Sequence, residues 1–272
     1  MNKPVKLFIV EGEDRDYRFV NCMEHVFFTG RYETRVINLP ASQNLYMIYK
    51  DFVEDEFDSD LVELLKNHIP DANLILSGVT RQDIDEIYMF FDYDVHQNNL
   101  TDGKNAIEVL EEMLTVFDNE TDNGKLYLSY PMVEALYDYR DNECQSFSSC
   151  IIPISQIPAS DNYLGYKDRS GTNNPKASLH FNSIEDWKSI LNVFSLKITC
   201  LFKLETLEYQ FYKSQITPYS IFNLEKELKE IDDKVFVLSA FPEFLFDYFK
   251  ADFWHTMTTR KKLNHEVCPL KN

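Results

Sequence analysis

Glycine is scarce in this chain, with seven among 272 residues, while tyrosine reaches sixteen. That balance excludes a flexible, low-complexity protein and points to a compact one. No stretch approaches 18 uncharged apolar residues, so no membrane-spanning helix is expected. The start of the chain runs directly into a short apolar segment at 7–10. It lacks the length and the small-residue cleavage site of a secretory signal. No pair of cysteines has CxxC or zinc-site spacing; Cys22, Cys144, Cys150, Cys200 and Cys268 are odd in number and scattered. They are expected to be reduced thiols in a cytoplasmic protein. No Gly-x-x-x-x-Gly-Lys loop is present, so no ATPase is expected in the chain itself, and no Gly-x-Ser-x-Gly elbow serves Ser129 or any other serine.

Basic residues are also few. Lys and Arg total 27 against 45 Asp and Glu, a formal net charge of −18. Such a surface repels polyanions outside any local basic groove. Part of the charge has a use if carboxylates are grouped to hold divalent cations.

What is abundant is core-forming material: 44% hydrophobic residues and 14% aromatics. The length allows one large domain, or a core of about 140 residues with a companion. Residues 5–10 read as a short buried strand, followed by a Glu-Gly-Glu turn and a helix over 15–28. A second strand is expected at 35–39, and a long helical region at 44–67 that Pro70 ends. The run 87–91 is continuously apolar, as suits a parallel strand covered on both faces. Helical spacing returns at 105–117, a short strand at 125–128, and helix at 132–139. Strand–helix alternation of this kind predicts an α/β domain with a mainly parallel sheet and right-handed crossovers. The expected division is an α/β domain over 1–140, an irregular connection over 141–177 and a mostly helical region over 178–272.

Four carboxylates stand out because each follows an expected strand: Glu11, Asp92, Asp94 and Glu134. Ligands of open parallel sheets bind beyond the carboxyl ends of the strands, so these side chains are expected to converge. Asp92 and Asp94, two apart, point to the same side about 7 Å from each other in extended chain. That suits oxygen donors for Mg²⁺ or for a metal pair about 4 Å apart, which activates water and stabilises a leaving oxygen. Glu11, beside Gly12, suits a ligand or a general acid/base. A strand-end Asp also serves as a turn residue or helix cap, and in a chain with 45 acids a lone Asp-x-Asp carries little weight. The argument rests on its combination with the separate strand–Glu-Gly unit.

Val10-Glu11-Gly12-Glu13 before a helix resembles the first motif of Toprim domains, and Phe90-Phe91-Asp92-Tyr93-Asp94 resembles the second. About 80 residues separate them, more than is usual, which is consistent with insertions around 51–85. Glu11 to Asp16, together with Ser129-Tyr130-Pro131-Met132-Val133-Glu134, is most similar to RloB-like and abortive-infection proteins, with OLD nucleases as wider relatives. Their Ser-Asn-Pro-x-x-Glu stretch has Tyr130 in place of Asn here. An acid often stands four residues after the first Glu in that branch; here the position is Arg15 and the acid is Asp16. The resemblance covers residues 5–140 only. It implies a Toprim-like, Rossmann-like fold and a Mg²⁺- or Mn²⁺-dependent nuclease acting on DNA or RNA in antiviral defence, commonly beside a separate ABC-type ATPase. Glu11, Asp92, Asp94 and Glu134 would form the catalytic set, with Glu11, Asp92 and Asp94 on the metal.

His96, Lys167, Arg169, Lys176 and the run Arg260-Lys261-Lys262 are secondary candidates for metal or phosphate contacts, each with a solvated-surface explanation. The apolar residues from Val235 to Phe246 fit a core better than a partner surface. Two other classes remain open. One is a non-catalytic Toprim-like module that binds a partner through its acidic face. The other is a metal-dependent glycosyltransferase using Asp-x-Asp, which would not need Glu11.

Overall fold

The computed structural model describes residues 3–12, 15–40, 45–54, 60–93, 105–139, 150–159, 165–172 and 181–258. It falls into two compact units, Met1–Tyr127 and Leu128–Asn272.

The first unit is α/β. Its elements run β1 (Val5–Glu11), α1 (Arg15–Met23), a π-helical turn (Glu24–Phe28), β2 (Glu33–Leu39), α2 (Leu45–Glu54), α3 (Leu61–His68) and α4 (Pro70–Ile75). Then follow β3 (Ile84–Asp92), α5 (Ala106–Val116), β4 (Asp118–Asn119) and β5 (Gly124–Ser129), whose last two residues lie past the unit boundary. The five strands form one sheet in the order β2-β1-β3-β5-β4. β1 runs parallel to both neighbours, and β4 is antiparallel to β5.

The sequence explains why β1 and β3 lie at the centre. Leu7, Phe8, Ile9 and Val10 are all buried, as are Ile87 to Phe91, so both strands are covered on both faces. Rings from three strands form a ladder: Phe8 stacks on Phe90 (6.1 Å, 15°), and Phe90 on Tyr127 (5.7 Å, 18°). Such cross-strand aromatic pairs each add roughly 0.2–1 kcal/mol and fix the register. Near the start of β1, Lys6 is buried, ion-paired with Glu86, and lies 4.0 Å from the Tyr32 ring centre. Burial pushes its amine down to about 8 against the pull of Asp85 and Glu120.

The region expected as one helix over 44–67 contains α2 and α3; Asp60 caps α3, its side chain accepting from the Glu63 N–H at 2.9 Å. Pro70 starts α4 rather than only ending its predecessor, because a first-turn proline loses no helical hydrogen bond.

The second unit is mostly helical. A 3₁₀ turn (Val133–Asp138) stands where helix was expected. It is followed by β6 (Ile151–Pro153), α6 (Tyr166–Thr172), α7 (Ile184–Leu201), α8 (Tyr209–Gln215) and α9 (Pro218–Asp232). β7 (Lys234–Phe236), α10 (Ala240–Tyr248) and α11 (Ala251–Met257) complete it, with β6 and β7 paired antiparallel. Its core is aromatic: Trp254 meets Phe246 edge-on at 4.0 Å, and Tyr212 lies 5.5 Å from Phe246. Val235 to Leu238, Phe241, Phe244 and Phe246 are buried within it. Among the described residues, no helix is long and apolar enough to cross a membrane.

Candidate carboxylate site at the carboxyl edge of the sheet

β1 and β3 are neighbours and parallel, so their carboxyl ends open on the same edge. β1 ends in Glu11 and β3 in Asp92, 81 residues later. The Glu11 carboxylate accepts the Asp92 backbone N–H at 3.2 Å, which ties the two strand ends together. Past Glu11 the chain must turn sharply. Gly12 does this at φ +97° while its N–H donates to the Leu39 carbonyl (3.4 Å) at the end of β2. A side chain there would find room, with Asp16 Oδ2 at 3.6 Å, but not a comfortable backbone.

The turn delivers α1, and with it a third carboxylate. Asp16 is 5% exposed and shares the buried stripe of α1 with Phe19, Val20 and Met23. Its carboxyl is held well above the usual carboxylate range. Burial is the first cause, followed by the charges of Asp92 and then Glu11; its own backbone N–H and Arg15 oppose the shift. Three acids from two strands and one helix therefore act on one another electrostatically.

Asp94, His96, Glu13 and Asp14 lie outside the described residues, as do Lys176 and Arg260-Lys261-Lys262. Glu134 belongs to the second unit, where it is 2% exposed in the first turn of the 3₁₀ segment. Just before it, Tyr130 exchanges backbone hydrogen bonds with Leu238 (2.7 and 2.8 Å), and Ser129 Oγ accepts from the Ala240 N–H at 3.3 Å. Lys167 is exposed. Arg169 donates to Gln156 at 3.1 Å and lies 5.8 Å from the Tyr166 ring centre, which gives it a structural occupation.

Asp16 is the residue that strand-end reasoning passed over. Its signal was present: positions 16, 19, 20 and 23 are one helical stripe, and a carboxylate heading an otherwise apolar stripe is an anomaly.

Among the described residues, no group of three His, Cys, Asp or Glu has an arrangement that holds a metal ion by itself. Comparison with family models, curated proteins and solved structures found no match to this chain. The class defined by fold and site is thus an α/β protein with a carboxylate cluster at the carboxyl edge of a mostly parallel sheet.

Proposed function

We infer that this chain is a divalent-metal-dependent, Toprim-type phosphodiesterase that cuts DNA or RNA, in the manner of prokaryotic antiviral nucleases. The observation that carries the reading is the meeting of Glu11, Asp16 and Asp92 beyond the ends of adjacent parallel strands. A carboxyl whose proton affinity is raised first by burial and then by two neighbouring carboxylates is an electrostatic conflict. A Mg²⁺ or Mn²⁺ ion relieves that conflict, and hard oxygen donors are its preferred ligands. Glu11, Asp92 and Asp94 would hold the ion, with Asp16 beside them.

A bound divalent ion supplies an activated water and charge stabilisation at the scissile phosphate. In the chain's own part of the reaction, Glu11 takes or gives the proton at its carboxylate, kept in place by the Asp92 N–H. Gly12 keeps the strand end and the start of α1 close together. An ABC-type ATPase remains the proposed partner.

The test is cleavage of plasmid, single-stranded DNA and total tRNA with Mg²⁺ or Mn²⁺. Wild type is compared with Glu11→Ala, Asp16→Asn and Asp92→Ala. The expected result is metal-dependent cutting that falls by at least about 100-fold in Glu11→Ala and Asp92→Ala. Cutting unchanged in both variants would overturn the assignment. A wild type inert alone and with an ATPase partner, yet binding a protein through this edge, would favour the non-catalytic module.

A further inference from the structure

The second unit contains a pair of nucleophilic side chains that the proposed hydrolysis does not use. Lys197, on α7, is 3% exposed, and so is Cys150, which immediately precedes β6. Lys197 Nζ lies 3.6 Å from Cys150 Sγ. It also donates to the Val237 carbonyl at 2.8 Å and lies 5.1 Å from the Tyr139 ring centre. Its contacts are therefore a carbonyl, a sulfur and an aromatic face. These hold the amine beside the sulfur in a place too enclosed for bulky thiols. The Val237 N–H in turn donates to the Cys150 carbonyl at 2.7 Å, so the backbones carrying the sulfur and the amine's acceptor are bonded to each other.

We propose that Cys150 and Lys197 form a peroxide-dependent covalent modification site, closing to a sulfur–nitrogen bond between Sγ and Nζ. The Cys150 thiolate attacks one peroxide oxygen; the O–O bond breaks, sulfur gains a hydroxyl and the other oxygen leaves as water. Lys197 Nζ, after releasing its extra proton, displaces that hydroxyl; the S–O bond breaks, the S–N bond forms, and a second water leaves. Sulfur is oxidised by two electrons and one hydrogen peroxide is reduced to two waters. The 3.6 Å separation is just outside the approach distance of about 3–3.5 Å from which bonds form, so only a small side-chain movement is needed. Burial keeps bulky solution thiols from the sulfenic acid, while Nζ stands 3.6 Å from the sulfur. The bond joins positions 47 residues apart and ties the start of β6 to α7. Cross-links of this kind restrict the unfolded chain.

The test is peptide mass spectrometry of the full chain treated with hydrogen peroxide, then alkylated and digested under denaturing conditions. The expected product is a peptide pair joined through Cys150 and Lys197, about 2 Da lighter than the two free peptides together. It should rise with peroxide and be lost after reduction with a phosphine. Lys197→Arg should abolish the linked pair and leave Cys150 as a sulfinic or sulfonic acid after the same treatment. If wild type instead gives over-oxidised or untouched Cys150 with Lys197 unmodified, the proposal fails. That readout needs no variant to fold, and it is independent of nuclease activity.

Discussion

At the scale of single residues, the positions that matter break a local rule. Gly12 adopts φ +97°, where an L side chain is strained. Gly12→Ala is therefore expected to cost about 1–2 kcal/mol in urea unfolding, and to reduce metal-dependent activity by moving Glu11 relative to Asp16. Glu225 breaks another rule. It is fully buried, and one carboxyl oxygen accepts the Phe236 N–H at 2.9 Å while the other has no hydrogen-bond partner. Burial pushes its carboxyl well up, against the Phe236 N–H and the charge of Lys229. Because the folded value is raised, the associated stability is fully present below the unfolded glutamate value of about 4.3. It is lost as pH rises through the folded value. Glu225→Gln keeps an acceptor for the Phe236 N–H and cannot ionise. Thermal midpoints of this variant should vary less between about pH 5 and 8 than those of wild type. An equal slope in both proteins would show that Glu225 is not the group responsible.

At the scale of elements, legibility followed burial. β1 and β3 were readable because strands covered on both faces leave unbroken apolar runs, and Glu11 and Asp92 were readable because they end those runs. β4 was not: two exposed residues, Asp118 and Asn119, have no periodicity to detect, and only pairing with β5 makes them a strand. Strand-end reasoning passed over Asp16, which only the motif resemblance named, because reading acids at strand ends does not look along a helix stripe. α2 and α3 read as a single helix, since acidic amphipathic spacing continues through the sequence from 45 to 67, and Pro70 read as a stop although it starts α4. Where caps exist they are explicit. Asn105 accepts from the Glu108 N–H at 3.0 Å, and Glu108 accepts from the Asn105 N–H at 3.0 Å. Asn105→Ala should lower stability by about 1 kcal/mol in chemical unfolding. Gly124 sits where an added Cβ would come within 2.8 Å of Met89 Cε and 3.1 Å of Ile87 Cγ2. Gly124→Ala must displace side chains of the central strand and strain a φ of +101°. The expected loss is about 1–3 kcal/mol, read from the same unfolding curves.

At the scale of the whole molecule, the formal charge of −18 sets the behaviour. Self-repulsion among so many acids is screened by salt, so the unfolding midpoint should rise as NaCl goes from about 10 to 150 mM. Mg²⁺ should add to this beyond its ionic strength. Binding to the folded state alone contributes about 2.7 kcal/mol at 100 times Kd, and Asp92→Asn should remove that excess while leaving the NaCl response intact. A Mg²⁺ effect fully matched by NaCl of equal ionic strength would remove the case for a specific ion.

The hydrogen bond between Glu11 and the Asp92 N–H spans 81 residues of chain. During synthesis the first of these groups leaves the ribosome long before the second. At about 5–20 residues per second the interval is roughly 4–16 seconds. Throughout that time the nascent chain carries Glu11 and Asp16 without the third carboxylate that completes the cluster. Assembly is thus tied to the arrival of β3 and its pairing with β1. A truncated product that stops short of β3 has no means of building the cluster.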